Sequence, residues 1–259
     1  MKIRYYHVDA FTGNAFGGNP AGVIPLMEWL EDDLLQKIAA ENNLSETAFF
    51  VPRSGHYELR WFTPAMEVDL CGHATLASAF VLFSAMGVED QTVLFHSQSG
   101  PLIVERSKDL LILDFPALPA EKCNPPDALL KGLGKEPIEA GKARDYLAIF
   151  ETQAEILALQ PDFSWLEKLD CLGIIVTAPG DGVDFVSRFF APRAGIPEDP
   201  VTGSAHCTLV PYWAKRLQKQ TLTAMQLSKR RGGLICEDRG ERVKIGGKAV
   251  LYMSGEIEI

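Results

Sequence analysis

The sequence predicts an α+β protein built as two similar lobes, each a set of strands around a buried helix. Three observations carry this. The run from Cys71 to Met86 contains no charged side chain and ends at Gly87, which suits a helix C-cap. A helix apolar on every face has to be surrounded by protein, and this one is too short to cross a bilayer. Elsewhere, short β-branched and aromatic stretches alternate with Gly, Asn and Pro clusters, the mark of strands and turns. The second half then restarts the pattern of the first: a strand, Phe-x-Pro (Phe62-Thr63-Pro64; Phe190-Ala191-Pro192), an acidic linker, and a glycine opening a helix with small residues. Two similar lobes facing one another are a natural way to make a cleft for a small ligand.

In chain order, Lys2 to Phe11 reads as a strand and Thr12 to Gly22 as a loop. Ala21 to Leu26 is a second strand. Leu30, Leu34, Leu35, Ile38 and Ala39 then recur at helical spacing, and this helix should stop near Asn42-Asn43. Thr47 to Val51 and Tyr57 to Phe62 form a hairpin around Pro52-Arg53-Ser54-Gly55. Strands at Thr92 to His96, Leu102 to Glu105 and Leu110 to Phe115 close the first lobe. After the Pro-rich stretch Pro116 to Pro126, strands are expected at Ala143 to Phe150, Leu172 to Thr177, Phe185 to Phe190, Met225 to Leu227, Gly233 to Glu237, Val243 to Ile245 and Ala249 to Ile259. Gly203 to Leu217 is the second helix poor in charge, and Pro211 should cost it a hydrogen bond.

The 259 residues fit two packed lobes or one large α/β domain. A net charge of −9 disfavours a general nucleic-acid binder, because phosphate neutralisation needs surplus Lys and Arg. The one dense basic run, Lys229-Arg230-Arg231, reads as a solvated strand end or an anion contact. The N-terminal stretch has no apolar core long enough for a signal peptide, and no uncharged stretch reaches membrane-spanning length, so a cytoplasmic location without membrane contact is expected. Five cysteines, widely spread and without a CxxC pair, predict reduced thiols rather than a disulfide framework or a zinc knuckle.

The two helix starts, Asp69-Leu70-Cys71-Gly72-His73-Ala74-Thr75 and Asp199-Pro200-Val201-Thr202-Gly203-Ser204-Ala205, carry the strongest physical signal. A helix N-terminus presents unpaired N–H groups and partial positive charge, so a carboxylate can bind there without Lys or Arg. Small residues at Gly72, Ala74, Gly203 and Ala205 would let a ligand reach the backbone. From the residues alone, N-caps and tight packing points explain the same pattern equally well.

Glu46 stands where a helix ends and an apolar strand begins. Burial would make it a better base towards carbon, although the segment by itself reads more readily as a surface glutamate. His73 and Asp199 are close enough to the helix glycines to relay a proton or hold a polar substituent, or else to act as a capped histidine and a helix-stabilising aspartate. Cys71 and Cys207 could be nucleophiles, yet a thiol on an apolar helix is usually inert. The glycines from Gly13 to Gly22 lack the order of a dinucleotide fold, Gly246-Gly247-Lys248 is followed by Ala249, and no HExxH or GxSxG occurs. No cofactor is expected. Nor is a metal, since Cys71 and His73, or His206 and Cys207, point to different faces of a helix.

Val8-Asp9-Ala10-Phe11-Thr12 with Gly18-Asn19-Pro20-Ala21-Gly22-Val23, then Leu44-Ser45-Glu46-Thr47-Ala48-Phe49, and then the two helix starts continuing to His206, resemble the PhzF-like (phenazine biosynthesis) isomerase family along the whole chain. The resemblance implies the diaminopimelate epimerase-like fold: two pseudo-symmetric lobes, each a mixed sheet wrapped around a central apolar helix, with a site between them. The lobes would be residues 1–115, completed by a C-terminal strand at about 250–259, and residues 116–249. It also implies that Glu46 is the single acid/base, that His73 and Asp199 assist it, and that Gly72, Thr202, Gly203 and Ser204 hold the substrate. Related epimerases use one cysteine from each central helix; Cys71 stands at the first position, but the second reads Thr202-Gly203-Ser204. The expected function is therefore a cofactor-independent isomerase of a small carboxylate metabolite, in a chain that could form a homodimer. A racemase or epimerase using Cys71, and a non-catalytic binding or scaffold protein, are the alternatives.

Overall fold

The computed structural model describes residues 1–259. They form two compact units, Met1–Asp114 with Gly246–Ile259, and Phe115–Ile245. In the first unit β1 (Lys2–Ala10) pairs antiparallel with β2 (Asn19–Pro25), which runs parallel to β3 (Glu46–Arg53) after the crossover helix α1 (Asp32–Asn42). A left-handed Asn43 ends α1, where the sequence placed the stop. β3 continues into an antiparallel hairpin with β4 (His56–Phe62), and β4 pairs with the two-residue β5 (Glu67–Val68). The hairpin turn is shorter than expected, because Pro52 and Arg53 stay in β3 and Gly55, at φ +79°, makes the bend.

The chain then enters α2 (Gly72–Phe80), extended by a π-helical turn over Val81–Ala85, and returns through β6 (Thr92–Ser97), parallel to β4, β7 (Gly100–Ser107) and β8 (Leu110–Pro116). α2 is buried from Gly72 to Ala79 and packs against β1, β2, β3 and β7. That is the burial its charge-free sequence demanded. The opposite face of these strands carries Ile24, Phe49 and Val51, covered by Leu35, Ile38 and Ala39 of α1.

The second unit repeats the pairings. After β9 (Glu121–Lys122) and α3 (Asp127–Leu133), β10 (Glu139–Lys142) and β11 (Tyr146–Ile149) form an antiparallel hairpin. β11 runs parallel to β12 (Ile174–Pro179) after α4 (Gln153–Ala158) and α5 (Phe163–Leu166). β12 and β13 (Phe185–Ala191) are antiparallel, and β13 pairs with β14 (Ile196–Asp199). A 3-10 turn over Gly203–Ala205 leads into α6 (His206–Leu217), followed by β15 (Thr221–Gln226), parallel to β13, then β16 (Gly232–Asp238) and β17 (Arg242–Gly247). Strand for strand, β10 to β17 follow the pattern of β1 to β8. The final strand, β18 (Ala249–Glu258), pairs antiparallel with β1 in the first unit.

Two local expectations are corrected. The single strand expected at Ala143 to Phe150 is the turn and second arm of the β10–β11 hairpin: the Asp145 carbonyl accepts the Ala143 N–H at 3.1 Å, and the buried Asp145 carboxylate accepts the Gly173 N–H at 3.0 Å. The helix expected from Gly203 opens as a 3-10 turn and becomes α-helical only at His206. Pro211 removes the donor that would have faced the Cys207 carbonyl, and the Leu118 N–H fills that place at 2.9 Å. No helix is long and apolar enough to cross a membrane.

Candidate active site

In the first unit, the loop after β1, the start of β3 and the start of α2 converge. Gly18 has φ +61°, and a Cβ there would lie 2.0 Å from the Ala10 carbonyl oxygen, so only glycine makes this turn. The turn sets Asn19 opposite Ala10 as the first residue of β2, fully buried. Glu46 is the first residue of β3, beside Ala21 of β2, and its side chain is only 13% exposed. His73, in the first turn of α2, places Nε2 3.2 Å from Glu46 Oε2. Its other nitrogen, Nδ1, lies 3.1 Å from the Asn19 amide nitrogen and 3.4 Å from Cys71 Sγ. Cys71 is the N-cap of α2 and makes no side-chain cap, so its thiol does not occupy the first-turn N–H groups that begin at Gly72.

Burial pushes the His73 imidazole down to about 3, which leaves it neutral at any physiological pH. Glu46, Cys71 and His73 have their ligand-type atoms within 4.8 Å of one another. This corrects the expectation that Cys71 and His73 point to different faces of a helix: Cys71 is the extended N-cap of α2 rather than a helical residue, and its sulfur turns back to within 3.4 Å of His73 Nδ1.

In the second unit, Asp199 ends β14 and accepts a 2.5 Å hydrogen bond from the Thr202 hydroxyl. Gln226, fully buried at the end of β15, closes this loop: its Oε1 accepts the Thr202 N–H at 2.8 Å, and its Nε2 donates to the Asp199 carbonyl at 2.8 Å and to Thr202 Oγ1 at 3.1 Å. His206 donates from Nδ1 to the Thr202 carbonyl at 2.9 Å, and burial pushes this imidazole down to about 4. Gly203 is buried, and Ser204 accepts a hydrogen bond at 3.1 Å from Arg144, whose guanidinium also pairs with Asp145 at 3.0 Å. No side chain caps the 3-10 turn.

The structure thus gathers Glu46, Gly72, His73 and Cys71 in one unit, and Asp199, Thr202, Gly203 and Ser204 in the other. Of the remaining thiols, Cys207 on α6 is pushed up to about 12 by burial, and Cys236 is raised by the same cause. Both are inert at neutral pH. Asn19, Gln226 and Arg144 were not singled out from the sequence. Asn19 sits inside a recognisable motif but reads as a turn residue, and Gln226 shows only as one amide in an apolar strand.

Residues 8–255 match the family model described as phenazine biosynthesis-like protein. An uncharacterized isomerase of Pseudomonas aeruginosa is 53% identical over 259 residues, covering 100% of both chains. A crystal structure of a PhzF-family phenazine biosynthesis protein from Enterococcus faecalis superposes with a TM-score of 0.98 at 50% identity, covering 100% of both chains. A hydroxyproline epimerase from Agrobacterium vitis shares the fold at a TM-score of 0.63 and 10% identity, over 99% of this chain and 92% of its own. The pairings repeated from unit to unit, each with a buried apolar helix, are therefore those of the diaminopimelate epimerase-like α+β fold, and the chain belongs to the PhzF-like, phenazine biosynthesis-like family.

Proposed function

We propose that this protein is a cofactor-independent isomerase that moves a proton between two carbons of a small carboxylic acid, with Glu46 as the acid/base. The observation that carries this reading is the setting of Glu46: nearly buried, on a rigid strand end, with a neutral imidazole at 3.2 Å and an uncapped helix start alongside. The Glu46 carboxylate takes a proton from carbon, and the electron pair left behind spreads into the conjugated system of the substrate acid. N–H groups from Gly72 onward stabilise that charge most as it develops. The Glu46 carboxyl then returns the proton to a second carbon, the double bond shifts, and Glu46 is again a carboxylate. Asp199, Thr202, Gly203 and Ser204 hold and polarise the substrate in this reading, and the isomerase name of the Pseudomonas aeruginosa relative agrees with it.

The test is a proton-NMR screen of small unsaturated carboxylic acids for double-bond migration. Glu46→Gln should cut turnover by about 10³-fold or more while ligand still raises the melting temperature. Full activity in Glu46→Gln removes Glu46 from the mechanism. Thermal stabilisation by an acid with no migration or proton exchange in the wild type would favour a non-catalytic binding protein.

A second reading is carried by Cys71, whose sulfur lies 3.4 Å from His73 Nδ1 at the same helix start. A racemase or epimerase would invert a stereocentre with incorporation of solvent deuterium, and Cys71→Ser would abolish it.

A further inference from the structure

The Asn19 amide determines what His73 can offer. A neutral imidazole carries one N–H, and each nitrogen is either a donor or an acceptor. An amide NH2 can only donate, so the 3.1 Å approach of Asn19 Nδ2 makes Nδ1 the acceptor. The Cys71 thiol, a weak donor, approaches the same nitrogen at 3.4 Å. The ring proton then stands on Nε2, 3.2 Å from Glu46 Oε2. We propose that Asn19 is a positioning residue that locks His73 in its Nε2–H tautomer, so that the nitrogen nearest Glu46 already carries its proton.

The inference rests on the role given to Glu46 and adds a consequence. A nitrogen that already carries a proton cannot take one from the Glu46 carboxyl, and burial of His73 disfavours the imidazolium that would result. The proton removed from carbon therefore stays on Glu46 until it returns to carbon, rather than leaking away through the ring. Asn19 can do this because Gly18 forces the tight turn into β2 and the amide is buried against the ring.

Long-range proton–nitrogen NMR of the full-length protein labelled with ¹⁵N-histidine reads the tautomer without a substrate. The wild type should show the Nε2–H pattern for His73, assigned by its loss in His73→Gln. In Asn19→Asp the new carboxylate accepts from Nδ1, and the pattern should convert to Nδ1–H or to the doubly protonated ring. Once a substrate is in hand, Asn19→Asp should lower kcat by about 10²-fold with KM changed less than about 3-fold, and raise solvent-deuterium uptake per turnover. An Nδ1–H pattern in the wild type, or an Nε2–H pattern that persists in Asn19→Asp, overturns the proposal. The wild-type spectrum decides even if the variant fails to fold. An Nε2–H wild type with full turnover in Glu46→Gln would instead leave Asn19 in its role and remove Glu46 from its own.

Discussion

Arg60 on β4 grips Glu67 on β5 through two parallel hydrogen bonds, Nε to Oε1 at 2.7 Å and Nη2 to Oε2 at 2.8 Å. Arg188 on β13 holds Glu198 on β14 in the same way, at 2.7 and 3.1 Å. Each guanidinium also lies over the phenylalanine two residues later, 5.1 Å from the Phe62 ring and 4.9 Å from the Phe190 ring. The repeated Phe-x-Pro is thus the visible part of a longer device, Arg-x-Phe-x-Pro and a following Glu. In each unit it ties the short strand that precedes a helix start to the strand before it.

The pair is about four-fifths buried on both sides, so its loss should be felt. Arg60→Met should destabilise the protein by about 2 kcal/mol in urea unfolding. The other partner of Arg60, Asp32, is 75% exposed, and Asp32→Asn should leave stability unchanged within error. Equal effects of the two substitutions would show that the fork to Glu67 carries no special weight.

His73 and His206 make stability depend on pH. Both are fully buried and neutral, with folded-state values of about 3 and about 4 against 6.5 when exposed. Between those values the unfolded chain binds the proton and the folded chain does not, so stability is full above about pH 6.5 and falls as pH drops below it. Each histidine costs about 1.4 kcal/mol per pH unit, or about 2 kcal/mol at pH 5. Urea midpoints from pH 7 to 5 should fall steeply, and His206→Asn, which keeps a donor at the Nδ1 position, should flatten the slope by about half. An unchanged slope in that variant would place the acid sensitivity elsewhere.

The central helices were legible because a run with little or no charge, too short to span a bilayer, has to be enclosed by the rest of the chain, and both helix starts were found to within a few residues. Long-range contacts decided the rest. Lys142-Ala143-Arg144-Asp145 carries Asp145 as its one usual turn residue, and the hairpin there is held by the Asp145 carboxylate on the Gly173 N–H, far away in sequence. Helices α3 and α5 are too short for a readable period; they form because Leu129, Leu133 and Leu166 share one core cluster. Glu46 could not be distinguished from a surface carboxylate until His73, from another element, was seen against it.

Pro211 should prove nearly neutral. An interior proline typically costs a helix about 3 kcal/mol, partly through the acceptor it strands. Here the Leu118 N–H already satisfies the Cys207 carbonyl, and α6 runs unbroken from His206 to Leu217. Pro211→Ala should therefore change stability by less than about 1 kcal/mol. A gain near the full proline penalty would mean that the Leu118 contact contributes nothing.

Gln226 should prove as important to the second unit as any residue named from the sequence. Its one amide meets three groups of the loop before the 3-10 turn: the Thr202 N–H, the Thr202 hydroxyl and the Asp199 carbonyl. Gln226→Leu is close in size but takes away the partner of the buried Thr202 N–H, at about 1 to 3 kcal/mol, and one bond to the Asp199 carbonyl. Gln226→Glu keeps an acceptor for the Thr202 N–H but, as a carboxylate, sets an oxygen against the Asp199 carbonyl, so it should not rescue the loss while it is ionised. Both variants should unfold at lower urea concentration and show faster amide hydrogen exchange at Thr202 and Gly203 than in the rest of the unit. A wild-type exchange pattern in Gln226→Leu would mean that the backbone of this loop holds its shape without the amide.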